Sequence, residues 1–200
     1  MELHCSLLSS LLADVDEERR LTVFDAGPAL PETVEFFSQF KCRLYFADLY
    51  DEDVLSQQDG DASDSDMNLS DRFTTLFDYP AHTKFDVCLF WDVLSYMNEP
   101  ALRAFSQALN PFLSSNTDIH GFSTLKASTK LPNQLFAIEQ LDRLRVRPRE
   151  GRQAPCYPHP QVELNKLLYG IGVRKATLLS NGLLEMLLKV TDSPAPVTGG

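Results

Sequence analysis

The run Phe85-Asp86-Val87-Cys88-Leu89-Phe90-Trp91 is nearly continuous in apolar side chains. A strand of that composition has both faces covered, as in a parallel sheet held between layers of helices. Its surroundings carry the same message. Leu21–Asp25 is a short apolar strand ended by Ala26-Gly27-Pro28. Pro31 and Glu32 suit the first turn of a helix, with Val34, Phe37 and Phe40 recurring on one face. Cys42–Leu49 is a second strand. Strand, helix, strand is the unit that a parallel sheet requires, because parallel neighbours need a crossover.

Further along, residues 69–78 suit a short helix. Asn98 caps another with Pro100 near its start, and Leu102, Phe105, Leu109 and Phe112 line its inner face. Thr117–Leu125 reads as a strand, while Leu135, Ile138, Leu141 and Leu144 give Pro132–Leu144 a helical spacing. Val162–Tyr169 is helical, ended by Gly170 and Gly172. Val173–Leu179 and Leu183–Val190 are joined by Ser180-Asn181-Gly182, and Asn-Gly between apolar runs is a strong hairpin signal. At the other end, Leu3, Leu7, Leu8, Leu11, Leu12 and Val15 predict one N-terminal helix over 1–20. Thr191–Gly200 reads as a disordered tail.

The chain has 200 residues, 44% of them apolar, which suits one domain over residues 1–190. Its net charge of −10 argues against a dedicated nucleic-acid binder or a general attraction to anionic membranes. No basic n-region or apolar span marks export or membrane insertion, and Cys5, Cys42, Cys88 and Cys156 are widely spaced. The expectation is a cytoplasmic protein with reduced thiols. His4-Cys5 and Cys156-x-x-His159 lack the companion ligands of a tetrahedral site, so no metal is assigned.

Charge is unevenly placed. From Asp48 to Asp71 there are nine acids and no Lys or Arg, and residues 50–70 read as an acidic mobile loop. An EF-hand register from Asp59 fails, with Asp64 at the sixth position and Ser70 at the twelfth. The opposite sign collects at Arg143, Arg145, Arg147 and Arg149. That segment is either a solvated loop or a contact surface for an acidic partner, a phosphate or the chain's own acidic loop.

With Val23-Phe24-Asp25-Ala26-Gly27, Phe46-Ala47-Asp48-Leu49, Phe85–Leu94 and the Asn181-Gly182 hairpin in this order, residues 20–190 resemble a class I S-adenosylmethionine-dependent methyltransferase. The resemblance implies a Rossmann-like three-layer α/β sandwich, mostly parallel, with a C-terminal antiparallel hairpin. It further implies S-adenosylmethionine as cofactor, held at Asp25, Ala26, Gly27, Asp48, Leu49, Trp91 and Asp92, with Trp91, Asp92 and Tyr96 near the methyl group. Asp71 or Asp78 would be the adenine-side acid. Each residue also has a plainer role: Asp25 and Asp48 can end strands, Asp92 can cap a turn, and Trp91 can fill core.

The departure from the family lies in the glycines, of which the chain has 9. Where three alternating glycines are usual after the first acid, only Gly27 remains, and Ala29 and Pro31 stand in the other places. A side chain fills space that a ligand needs, and proline removes a donor. Two readings follow. One is a divergent methyltransferase-like protein with weakened or lost cofactor binding and a protein-interaction or regulatory role. The alternative is an active methyltransferase acting on a small molecule or a protein.

Overall fold

The computed structural model describes residues 1–12, 19–51, 55, 62–124, 131–150 and 155–191. The acidic stretches 52–54 and 56–61 and the tail 192–200 lie outside them.

Six strands form the main sheet. β2 (Leu21–Asp25), β3 (Cys42–Phe46), β4 (Val87–Trp91) and β5 (Asp118–Thr124) run parallel, and β8 (Ile171–Leu178) and β9 (Leu183–Val190) form the hairpin. The order is β3-β2-β4-β5-β9-β8, with β9 antiparallel to β5. This is the mostly parallel sheet that the apolar runs predict, in the Rossmann-like form that the resemblance implies. All five residues of β4 are buried, as its composition requires. In the hairpin turn Gly182 takes φ 88°, a left-handed backbone that a residue with a Cβ adopts only under strain.

One face is covered by α3 (Ala62–Leu76) and α4 (Glu99–Leu109), which pack on each other and on an aromatic core. Phe24 meets Phe77 at 5.6 Å and Phe90 meets Phe105 at 5.2 Å, in the edge-to-face geometry that aromatic quadrupoles favour. Asn98 caps α4 by accepting from the Ala101 amide at 3.0 Å, as its sequence predicts. α5 (Gln161–Leu167) continues this side towards β8. On the other face α1 (Ser6–Leu12) lies against β5 and β9.

α2 (Pro31–Phe37) buries Thr33, Phe36 and Phe37, whereas Val34, expected on the inner face, is 42% exposed. Two larger expectations are overturned. The single N-terminal helix is instead a strand, β1 (Glu2–His4), followed by α1, with residues 13–18 outside the described part. The helix expected over 132–144 is a hairpin of β6 (Gln134–Gln140) and β7 (Arg143–Pro148). Together they form a second sheet of order β1-β7-β6. A spacing of three from Leu135 through Ile138 and Leu141 to Leu144 suits a helix, but the large side chains that bury are Phe136, Ile138, Leu144 and Val146. That is the period of two of a strand, and Leu141 is exposed in the turn. Residues 62–70, expected within the acidic loop, belong to α3.

Among the described residues no helix is long and apolar enough to cross a membrane.

Candidate functional site

The chain runs from β2 to β3 on one side and then to β4 on the other. That reversal is a topological switch point, and open α/β sheets take ligands beyond the carboxyl ends of the strands there. The ends of β2, β3 and β4 carry all seven of the residues that the methyltransferase resemblance assigns to the cofactor.

They meet through a dense set of bonds. The Ala26 amide donates to the Leu89 carbonyl at 2.9 Å, holding the turn after β2 against β4. The amides of Ala47, Asp48 and Leu49 donate to the carbonyls of Asp25, Gly27 and Ala26 at 3.0, 3.2 and 2.9 Å. The loop after β3 is thereby zipped to the turn after β2. One oxygen of Asp25 accepts from the Gly27 amide at 2.8 Å and from the indole N–H of Trp91 at 2.6 Å. Gly27 has no room for a side chain without displacement: a Cβ there would sit 3.2 Å from both the Asp25 carboxylate and the Trp91 ring.

Trp91 reaches this place through an irregular backbone. The pairing of β4 with β5 slips between Leu89 and Trp91, and Trp91 takes φ 50°. A left-handed backbone costs an ordinary residue about 1–2 kcal/mol, so it persists only where surroundings enforce it. Here they do. The indole is 1% exposed, stacks on Phe136 of β6 at 5.8 Å and 9°, and meets His120 edge-on at 6.3 Å.

The second sheet closes over these strand ends. The Ile138 amide donates to Thr33 of α2 at 3.1 Å. Arg147 pairs with Glu32, and Arg145 with Glu139 and Glu32. Arg143 bonds Gln140 at 2.5 Å and lies 3.7 Å from Glu2. Arg149 donates to the Tyr50 carbonyl at 2.9 Å and to Asn133 at 2.7 Å, and its guanidinium lies 4.8 Å from the centre of the Tyr50 ring. Tyr50 in turn donates to Asp92 at 2.5 Å, and Tyr96 approaches the other oxygen at 3.4 Å. The arginine segment is thus a strand whose cations are engaged within the chain.

The fold brings the sequence-assigned Asp25, Gly27, Asp48, Trp91 and Asp92 to neighbouring strand ends. Beside them it places Tyr50, Phe136 and the contact of Arg149 with Tyr50, which the sequence reading did not single out. A signal for the closing strand existed: Arg143-Leu144-Arg145-Val146-Arg147 alternates strictly, as a half-buried strand does. Of the expected adenine-side acids, Asp71 is exposed on α3 and Asp78 is exposed just beyond it. His159, the other half of the Cys156 spacing, is buried with Nε2 2.8 Å from the Met97 carbonyl.

Asp25, Ala26, Gly27, Leu49, Trp91 and Asp92 are all buried, and Asp48 alone keeps partial exposure, with φ 38°. The side chains of Asp25, Trp91 and Asp92, where the resemblance places a nucleoside, are hydrogen-bonded within the chain.

Burial disfavours the charged form of both inner carboxyls. Asp25 is pushed up to about 7 by burial, against the opposing bonds from Gly27 and Trp91. Asp92 is pushed up to about 6 by burial, against the bond from Tyr50. Raised carboxyls make the folded state bind more protons than the unfolded one. Stability therefore falls as pH rises from about 4 through 7, by up to about 1.4 kcal/mol per pH unit for each group. Asp25→Asn keeps an acceptor for both bonds and removes the charge. Urea unfolding at intervals between pH 5 and 8 should show a flatter slope for this variant and greater stability than the natural chain at pH 8. An unchanged slope would exclude Asp25 as its source.

A parallel sheet with this switch point, helices on both faces and a terminal antiparallel hairpin is the fold of the class I S-adenosylmethionine-dependent methyltransferases. No protein-family model and no curated protein matches the chain. Among solved structures, it is similar to 1,6-didemethyltoxoflavin-N1-methyltransferase of Burkholderia thailandensis, with bound 1,6-didemethyltoxoflavin and S-adenosylhomocysteine. The TM-score is 0.50 at 15% identity, over 94% of this chain and 78% of that one. Weaker likenesses include magnesium protoporphyrin IX methyltransferase of Synechocystis PCC 6803, at TM-score 0.48, 13% identity and 93% and 77% coverage. An S-adenosylmethionine-dependent methyltransferase of Clostridium acetobutylicum follows at TM-score 0.47, 14% identity and 89% and 93% coverage.

Proposed function

We propose that this chain is a methyltransferase-fold protein that has exchanged cofactor binding for self-filling of the crevice, and that it acts through contacts with a protein partner. The supporting observation is the burial of Asp25, Trp91 and Asp92 at 2%, 1% and 1% exposure, with their polar atoms bonded inside the chain. Loss of the alternating glycines fits the same reading, because no close backbone approach to a ligand is needed once the indole occupies the place. With the arginines of β7 engaged in holding the second sheet down, the run of nine acids between Asp48 and Asp71 is the charge that a basic partner would recognise. A regulatory role exercised through that partner suits a fold that keeps its shape without turnover.

Active methyl transfer is the competing reading, and the partial exposure of Asp48 at the ribose position favours it. Calorimetry of the whole chain with S-adenosylmethionine and S-adenosylhomocysteine separates the two. The expected result is no saturable heat and no rise in melting temperature at millimolar ligand. A ligand present at 100 times its dissociation constant would add about 2.7 kcal/mol of stability, which a melt reads easily. Saturable binding that disappears in Asp48→Ala would overturn the proposal.

A further inference from the structure

At the opposite side of β2 and β3 from the crevice, a cleft of about 260 Å³ opens beside the edge strand β3. Arg20, Thr22, Arg43, Tyr45, Thr83 and Lys84 line it, together with His82. Local geometry brings these groups together. Thr22 and Arg43 are register partners across β2 and β3, and Arg43 and Tyr45, two apart on one strand, share a face. The Tyr45 ring is set by Tyr79, 4.9 Å away. The Lys84 ammonium is pinned at the rim by the carbonyls of Pro111 and Leu113 at 2.5 and 3.1 Å.

The charge balance there is opposite to that of the molecule. The chain has 28 acids against 18 Lys and Arg, yet three cations converge on this cleft. The neighbouring carboxylate, Asp86, is already taken by Arg19 and by the Thr22 amide at 2.8 Å. Arg20 has no ion pair among the described residues, and Arg43 bonds only the Tyr45 hydroxyl, at 3.4 Å. Three exposed cations lining one cleft leave an excess of positive charge there that a bound anion would neutralise. The space is below the roughly 300–1,000 Å³ of sites that enclose a drug-sized ligand. Planar guanidinium forks suit the oxygens of a phosphoryl group, and the Thr22, Thr83 and Tyr45 hydroxyls add further donors.

We infer that this cleft binds the phosphate of a small phosphomonoester, gripped by Arg20 and Arg43 with Lys84 at its rim. The site is separate from the crevice at the other ends of the strands, so it stands or falls independently of cofactor loss. The test is a titration of the whole chain with inorganic phosphate and with phenyl phosphate, against sodium chloride of equal ionic strength, followed by amide NMR. Saturable changes confined to residues 20–22, 43–45 and 82–84 are expected, absent with chloride. Arg20→Ser with Arg43→Ser should weaken binding at least tenfold, and both side chains are exposed, so the circular dichroism and melting temperature should hold. Retained affinity in the double variant, or equal changes with chloride, would overturn the assignment. Tighter binding of a single-stranded oligonucleotide than of phenyl phosphate, at equal phosphate concentration, would overturn the small-ligand form of it.

Discussion

Trp91→Ala is expected to lower the free energy of unfolding by about 3–5 kcal/mol, the range for truncating a fully buried large aromatic. Two separate losses combine. The indole leaves a void between the ends of β2 and β4 and the face of Phe136. Asp25 loses the 2.6 Å donor that stabilises its buried carboxylate. Only the left-handed backbone works the other way, and alanine at φ 50° gains little, since it too carries a Cβ. Trp91→Phe divides the effect by keeping most of the packing and losing the N–H, with an expected loss of about 1–3 kcal/mol. Guanidinium unfolding followed by circular dichroism measures both, because Trp91 is the chain's single tryptophan and its fluorescence disappears with it. A loss below about 1 kcal/mol for the alanine variant would mean that the indole does not fill the crevice.

Glu185→Ala should be comparably damaging, at about 3–5 kcal/mol, for an electrostatic reason. Glu185 and His120 are both fully buried on the face opposite the aromatic core, and one carboxylate oxygen lies 3.1 Å from His120 Nε2. The same oxygen accepts the amides of Leu7 and Leu8 at 3.0 and 2.9 Å. Burial raises the Glu185 carboxyl, but the bonds from His120 and these amides outweigh it and hold the group below its ordinary value. Truncation strands three donors without an acceptor in a dry interior. Because two of them begin α1, hydrogen exchange at Leu7 and Leu8 should accelerate with the loss of stability. Glu185→Gln keeps an acceptor for the amides and should lose less. If alanine and glutamine cost the same few tenths of a kcal/mol, the pair is not holding α1 to the sheet.

Much of this architecture is legible in the chain, because strand and crossover signals are local. Leu21–Asp25, the apolar run ending at Trp91, and the two runs around Asn181-Gly182 announce themselves by composition and period, and the structure contains each as a strand. The second sheet was misread for an equally physical reason. Leucines at 135, 141 and 144 with Ile138 satisfy a helical spacing, and that short-range pattern cannot tell which partner will cover them. The pairing of Leu3 with Leu144, 141 positions away, settles the matter as strand. The N-terminal segment was misread in the same way, since β1 exists only because β7 is there to pair with it.

The candidate site divides along the same line. Asp25, Gly27, Asp48, Trp91 and Asp92 could be picked out by order and spacing, since each lies at a strand end. Whether they face a ligand or each other could not. That depends on a lid drawn from residues 134–149, on Phe136 beneath the indole and on Arg149 against Tyr50, 99 positions apart in the chain. The sequence by itself determined the layered parallel fold, the places where a nucleoside site would form and the segregation of acidic and basic charge. The tertiary structure decided that Trp91 is buried against Phe136, that Arg145 and Arg147 of β7 pair with Glu32 of α2, and that Arg20, Arg43 and Lys84 line one cleft. Strand and turn preferences act over a few residues, whereas burial and charge pairing depend on which distant segments the folded chain brings into contact.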